Sequence, residues 1–312
     1  MSAERQSLVR SQEPPHANIQ VSLTLPPRAL LARCDELRIA DKRAERRKAL
    51  FGKLALGSFL GVFILFLAGA VLEQFYLLPL AGLLFLGFVG SLIARGVAGA
   101  ADIDDLKLDV AETLCRVMAS DLKKRAPVGL SLDFRGYDKG KPAADSTRFW
   151  SSTGVKTFVR PWLRMNMTLL DGTRVLVEAE THCKRKQRAK RKYTKMKDRV
   201  TDHLTLTFRP PADRTLDREH ASLIQQRLSL TGRGGPRDAS TRLPSAIGLE
   251  LVRCRIKPRE AVMCFRTAPS LRVRARGGWT GSNLERLLDG RKAFGALILS
   301  YRSMKADASS HA

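Results

Sequence analysis

Residues Arg174 to Phe208 read RVLVEAETHCKRKQRAKRKYTKMKDRVTDHLTLTF, and this stretch decides the fold. Both of its ends alternate apolar and polar residues with a period of two, as half-buried strands do. The alternation continues inwards in the same phase, to Cys183 from one end and to Met196 from the other. We therefore predict a long β-hairpin, while a helix that aligns Ala189, Tyr193, Met196 and Val200 is the alternative.

In the predicted hairpin, six basic residues share the face opposite the apolar residues. They are Lys184, Lys186, Arg188, Lys195, Lys197 and Arg199. Residues 181–200 hold ten basic residues and one acidic residue, a net charge of +9. Lysine on edge strands protects against aggregation, but ten basic residues are more than that role requires. We expect this face to bind an anionic partner.

Three kinds of anionic partner fit such a face: inner-leaflet lipid headgroups, an acidic protein and a nucleic-acid backbone. Binding to single-stranded nucleic acid combines basic residues with stacking aromatics, and only Tyr193 is interleaved here. The nucleic-acid interpretation is therefore the weakest of the three. Anionic lipid is the nearest partner, because the same chain carries membrane-like segments.

Two apolar runs precede the hairpin, LALGSFLGVFILFLAGAVL at 54–72 and FYLLPLAGLLFLGFVGSLIA at 75–94, and neither contains a charge. At about 1.5 Å per residue, each run spans the roughly 30 Å hydrocarbon core of a bilayer. We predict a transmembrane hairpin that turns at Glu73 and Gln74. About fifty residues precede the first run, which is too many for a signal peptide. Ion and proton pathways normally show an ionisable residue within the membrane, and neither run has one.

Positive charge lies at the two open ends of the predicted transmembrane hairpin and not at its turn, and therefore on one side of the membrane only. Lys42, Arg43, Arg46, Arg47, Lys48 and Lys53 lead into it, Arg95 follows it, and the turn carries Glu73. The positive-inside rule then places both termini in the cytoplasm. Five cysteines without paired spacing suit a reducing compartment. We expect a two-pass protein of a bacterial inner membrane, with the bilayer as its first partner.

Small residues in the apolar runs allow helices to approach closely. Gly57 and Gly61 form a G-x-x-x-G motif, and Gly87 and Ser91 form a similar small-residue pair. The close contact could lie between the two helices of one chain or between subunits of a homo-oligomer. Both arrangements are kept as predictions.

The fold class predicted for the whole chain is α+β. We expect an N-terminal cytoplasmic segment at 1–49, with a strand at 19–25 and a helix at 28–49, then the transmembrane hairpin at 50–95. A basic cytoplasmic domain of antiparallel sheet and helices follows at 100–308. A lone strand is not stable by itself, so strand 19–25 should join the sheet of that domain.

Turn and capping signals define the other predicted elements. The predicted helices start at Asp102 and end before Pro127, span 213–229, and run from Asn283 to Lys305 with a capping box of Ser282 and Glu285. The predicted strands lie at 129–134, 155–159, 162–170, 248–256 and 260–267. A turn is predicted at Asp171 and Gly172.

Catalytic chemistry has little support in the sequence. His182, Cys183, Asp202 and His203, with Cys254 and Cys264, suggest a Cys–His pair or a metal site. Their spacing matches no metal motif, and Cys183 and His203 fall on opposite predicted faces. We predict no catalytic residue, metal or cofactor, and a membrane-anchored scaffold or binding module. The alternative is a membrane-associated enzyme acting on a phosphorylated or lipid-linked substrate, which a concave polar pocket would favour.

Overall fold

The computed structural model describes residues 20–72, 77–100, 104–122, 126–138, 143–145, 153–189, 194–212, 241–242, 248–275, 278–280 and 287–305. The predicted helix at 213–229 and the predicted capping box of Ser282 and Glu285 lie outside these residues. The described part of the chain is α+β, with four helices and an antiparallel sheet. It divides into two compact units. The helical unit contains residues 35–103, and the sheet unit contains residues 20–34 and the chain from 104 onwards.

The structure has two long helices, α1 at Pro27–Leu72 and α2 at Leu77–Ala100. Helix α2 and the part of α1 from Asp35 onwards form the helical unit. Both are long and apolar enough to cross a membrane. Only 6% of the most apolar window of each helix is buried, and large side chains such as Leu83 and Leu86 are about 70% exposed. The predicted helix at 28–49 and the first apolar run belong to one continuous helix. Helix α2 also continues through Gly96 to Ala100, beyond the predicted end of the transmembrane hairpin at residue 95, because this stretch contains no proline or polar breaker.

Eleven strands form one sheet in the sheet unit, in the order β1-β2-β4-β5-β6-β9-β8-β7, and every pairing is antiparallel. Strand β3 also pairs with β4, and β10 pairs with β6 and β11. The strands are β1 (Gln20–Leu25), β2 (Val128–Asp133), β3 (Ala144–Asp145), β4 (Thr153–Thr168), β5 (Arg174–Ala189), β6 (Thr194–Arg209), β7 (Thr241–Arg242), β8 (Leu249–Lys257), β9 (Glu260–Thr267), β10 (Ser270–Ala275) and β11 (Gly278–Thr280).

The predicted lone strand does join this sheet. Strand β1 pairs with β2 from Gln20–Asp133 to Leu25–Val128, which confirms the expectation that strand 19–25 completes the large domain. Just after it, Leu30 and Cys34 in the first turns of α1 are each only 1% exposed. The sheet unit therefore takes part of its core from residues that precede the helical unit in the chain.

Strand β4 corrects the prediction of two separate strands at 155–159 and 162–170. It is one strand of 16 residues with a β-bulge, because Pro161 pairs with Glu180 and Leu163 with Ala179, leaving Trp162 as the extra residue. Proline has no N–H for the ladder, and a bulge is one of the places where a sheet tolerates it. The bulge therefore bends the strand where we expected it to end.

Helix α3 (Asp105–Met118) is shorter than predicted at both ends. Its N-cap is Asp104, whose Oδ1 accepts a hydrogen bond from Leu106 N at 3.2 Å, and not Asp102. The helix ends at Met118 instead of running to Arg125, because the chain turns to bring Leu122 into a bridge with Leu169 of the sheet.

Helix α4 (Gly290–Lys305) starts later than the predicted Asn283. Residues 287–289 are not helical, and Asp289 caps the helix through its Oδ1, which accepts from Lys292 N at 2.8 Å. At Gly290 the helix approaches α3 closely. A Cβ added there would lie 2.8 Å from Asp109 Oδ2 and 2.8 Å from Thr113 Cβ. Glycine is therefore the residue that this helix contact accommodates.

Candidate functional site

Strands β5 and β6 confirm the predicted hairpin over the helical alternative. Their register pairs Lys184 with Arg199, Lys186 with Lys197, and Arg188 with Lys195. Directly paired residues of antiparallel strands lie on the same face of the sheet. All six basic residues therefore share one face, which we call the hairpin face. Lys195 is partly buried, and the other five are exposed.

The hairpin face concentrates charge of one sign. Like charges directly opposite each other on neighbouring strands destabilise a sheet, by about 0.2–1 kcal/mol for each pair. Within the part of the chain that the structure describes, none of the six residues forms an ion pair with a carboxylate. The three opposed pairs therefore form a positive surface that an external anion would stabilise.

The one acidic residue among residues 181–200 that the structure describes does not neutralise this face. Asp198 is fully buried on the opposite side of the hairpin. Arg185 donates to both of its carboxylate oxygens, from Nε to Oδ1 at 2.8 Å and from Nη2 to Oδ2 at 2.7 Å. Tyr137 Oη donates to Oδ2 at 3.1 Å. The hydrogen bonds from Arg185 to Asp198 raise the pKa of the Arg185 guanidinium. The ion pair lies on the side of the hairpin opposite the hairpin face.

A second acid, Asp202, lies further along β6 on the same buried side. Its Oδ1 accepts from Thr181 Oγ1 at 2.6 Å, and its Oδ2 accepts from Leu288 N at 3.0 Å. Burial raises the pKa of this carboxyl group. The bond to Leu288 holds the chain in a non-helical conformation just before α4, which explains why the helix starts late.

Sequence reasoning missed the roles of both acids. Asp198 and Asp202 occupy the same alternating positions as Met196, Val200 and Leu204, which we assigned to the apolar face. An acidic residue at a core position of a strand indicates a buried polar network, because a buried charge must be paired. That signal was available in the sequence.

The structure does not assemble the Cys–His site that the sequence suggested. Cys183 is fully buried on the core side, whereas the rings of His182 and His203 stack on the outer side with centroids 4.1 Å apart. His182 Nε2 lies 2.6 Å from Glu180 Oε1, and burial lowers the pKa of His203. The thiol and the imidazoles are therefore separated by the sheet itself.

Two apolar side chains flank the hairpin face. Leu271 of β10 pairs with Arg199 and is 52% exposed. Val159 of β4 pairs with His182 and is 39% exposed. Basic residues beside exposed aliphatic groups are typical of surfaces that contact the interface of an anionic bilayer.

Only some of the small residues predicted to allow close helix packing lie between α1 and α2. A Cβ at Gly61 would lie 2.9 Å from Leu84 Cδ1, and one at Gly87 would lie 3.8 Å from Ser58 Oγ. Gly57 has no such neighbour within 4 Å, and Ser91 is partly buried. Gly61 and Gly87 therefore lie between the two helices, whereas a Cβ at Gly57 would meet open space.

Comparison of the chain with protein-family models, with curated proteins and with solved structures finds no match in any of the three. Function is therefore argued from the residues and their geometry.

Proposed function

We propose that this chain is a membrane-anchored binding module that docks its hairpin face on an anionic lipid surface. Helices α1 and α2 anchor it in the bilayer as a two-pass hairpin with both termini in the cytoplasm. The observation that carries the proposal is the register of three opposed basic pairs, while Asp198, the acid of residues 181–200, is buried on the other side with Arg185. At about 1 kcal/mol for each basic residue near an anionic membrane, six residues give a substantial attraction.

Lipid is preferred to the other anionic partners for two reasons. The exposed aliphatic side chains of Leu271 and Val159 beside the face suit an interface more than they suit a phosphodiester backbone. A covalent membrane anchor also raises the effective concentration of lipid headgroups around the sheet unit. An acidic protein or a nucleic acid would have to compete with that surface.

Catalysis on the hairpin face has less support than binding. Covalent catalysis needs a nucleophile within hydrogen-bond reach of a base, and the hairpin face consists of Lys and Arg side chains. The nearest imidazoles, on His182 and His203, contact Glu180 and each other. The geometry of this face therefore favours a binding module over an enzyme acting on a phosphorylated or lipid-linked substrate.

The test uses the full chain in nanodiscs of zwitterionic phosphatidylcholine, sedimented with separate vesicles that contain anionic phosphatidylglycerol. The hairpin variant changes Lys184, Lys186, Arg188, Lys195, Lys197 and Arg199 to Gln. A charge-matched control changes six exposed basic residues outside the hairpin to Gln: Arg28, Arg253, Arg255, Lys257, Arg259 and Arg291. Both variants lose the same charge, so the comparison separates a local surface from the net charge of the chain.

We expect the wild type and the charge-matched control to pellet with the anionic vesicles at low salt, and the hairpin variant to stay in solution. Binding should weaken with salt, because charges are screened over about 8 Å at physiological ionic strength. Equal binding by the two variants would refute the proposal. The lipid proposal would also be wrong if the wild type did not bind the anionic vesicles but did bind single-stranded RNA or polyglutamate through the same six residues.

A further inference from the structure

The sheet unit contains a cavity of about 400 Å³ between the start of α3 and strands β4, β5 and β6. Its lining includes Asp104, Lys107, Trp162, Thr181, Asp202 and Leu288. This volume falls within the range of small-molecule sites, which is about 300–1,000 Å³. The cavity is on the buried side of the sheet, opposite the hairpin face, so it is a separate candidate site.

The bulge in β4 brings Trp162 into this cavity. In a regular strand, neighbouring residues point to opposite faces, yet Trp162 and Leu163 are both buried, at 3% and 2% exposed. The bulge produces this arrangement by making Trp162 the extra residue between the pairs formed by Pro161 and Leu163. Bulges next to binding sites commonly redirect a side chain in this way.

Trp162 carries a buried donor. Its Nε1 is inaccessible to solvent and has no hydrogen-bond acceptor among the residues that the structure describes. An indole N–H can only donate, and a buried one usually finds an acceptor. The side chain lines the cavity, so a bound molecule towards which the indole turns would supply the acceptor.

Lys107 adds a cation beside the indole. Its Nζ lies 5.9 Å from the centroid of the Trp162 ring and donates to the carbonyl oxygens of Asp133 at 3.1 Å and Arg135 at 3.0 Å. An ammonium group has three donors, so these two bonds leave one for a further acceptor. Burial lowers the pKa of this lysine. The indole and the ammonium together favour an acceptor group that carries negative charge.

The other walls limit the ligand further. Leu287 and Leu288 offer apolar surface, and both oxygens of Asp202 already accept hydrogen bonds. Asp104 and Asp105 are exposed lining residues, and their charge disfavours a ligand with two negative charges. We propose that the cavity binds a small organic monocarboxylate, whose carboxylate accepts from the Trp162 indole and the Lys107 ammonium while its apolar body packs on Leu287 and Leu288.

The test follows the indole N–H signals of the full chain in detergent after selective ¹⁵N labelling of tryptophan. The chain has three tryptophans, and the Trp162→Phe variant assigns the signal of interest. Benzoate and butyrate are the probes, with uncharged benzamide and dianionic phenyl phosphate as controls. We expect the two carboxylates to shift the Trp162 signal and leave the other two in place, with little effect of benzamide or phenyl phosphate.

Lys107→Met should weaken benzoate binding by about tenfold or more, the effect of losing one hydrogen bond to a charged group. The two other indole signals report whether this variant is folded. A Trp162 signal that stays unmoved up to about 10 mM of both carboxylates, well above a weak dissociation constant of about 1 mM, would overturn the proposal. Binding of benzamide or phenyl phosphate as tight as that of benzoate would overturn it as well.

Discussion

Arg185 of β5 pairs directly with Asp198 of β6. The two side chains form a bidentate ion pair on the side of the hairpin opposite the hairpin face. Asp198 is fully buried, and the Arg185 side chain is only 12% exposed. The guanidinium also lies 5.4 Å from the centroid of the Phe158 ring. One cation and the only acid of residues 181–200 are thus removed from the surface, and the six residues of the hairpin face are all basic.

Breaking this buried pair should be costly. We expect Asp198→Asn to lower the free energy of unfolding by about 3 kcal/mol, because it leaves the Arg185 charge buried without its main partner. The measurement is urea unfolding of the detergent-solubilised chain, followed by tryptophan fluorescence. Arg209→Gln is the matched control, since it breaks the exposed pair with Glu260 and should cost less than about 1 kcal/mol. Equal costs for the two variants would contradict the prediction.

Asp202 should make the stability of the sheet unit depend on pH. Burial raises its pKa above the ordinary 3.8, so the folded chain keeps a proton that the unfolded chain has already lost. The free energy of unfolding should therefore fall as pH rises above 3.8 and level off beyond the folded-state pKa. We expect Asp202→Asn to flatten this fall and to raise stability at neutral pH. Urea unfolding at several pH values measures it, and a profile that Asp202→Asn leaves unchanged would count against the prediction.

The close approach of α3 and α4 predicts the effect of one added methyl group. Gly290→Ala places a Cβ 2.8 Å from Thr113 Cβ and from Asp109 Oδ2. Overpacking of this kind costs about 1–3 kcal/mol, so the variant should unfold at lower urea concentration. The exposed neighbouring change Arg291→Ala should have little effect. If Gly290→Ala is as stable as that control, the helix contact is looser than the structure indicates.

Residues before the helical unit should be needed for the sheet unit to fold stably. A fragment that begins at residue 104 lacks β1, Leu30 and Cys34. We expect it to be less stable than the same unit in the full chain. In the full chain, Leu30→Ala should cost about 2–5 kcal/mol, because Leu30 is 1% exposed. The exposed change Ile39→Ala is the control, and equal stability of the two variants would show that Leu30 is not part of the core.

The flanking charges predict the topology. The basic residues that precede the first apolar run within α1, and Arg95 near the end of α2, lead us to expect both ends of the transmembrane hairpin in the cytoplasm. Reporter fusions at Arg10 and at His311 should therefore both report a cytoplasmic location. A periplasmic signal from either fusion would show that the hairpin has another orientation.

Much of the fold could be predicted because its signals are local. The alternation in β1, β5 and β6 and the length of the two apolar runs are visible in the sequence, and the structure contains a strand or a helix at each of these places. The face shared by Lys186 and Lys197 also follows from counting by two along a hairpin, whereas their direct pairing is seen only in the structure. Whether the hairpin face binds an anion stays a prediction.

The sequence by itself determined that β1, β5 and β6 are strands and that the two apolar runs are helices, because the period of the apolar residues depends only on near neighbours in the chain. Tertiary structure decided where α3 and α4 begin and end, that β4 bends at Pro161 instead of stopping, and that Asp198 and Asp202 are buried with partners. These outcomes depend on residues far apart in sequence, such as Asp202 with Leu288 and Arg185 with Tyr137 through Asp198. A buried carboxylate is stable only when such partners surround it, and folding alone brings them together.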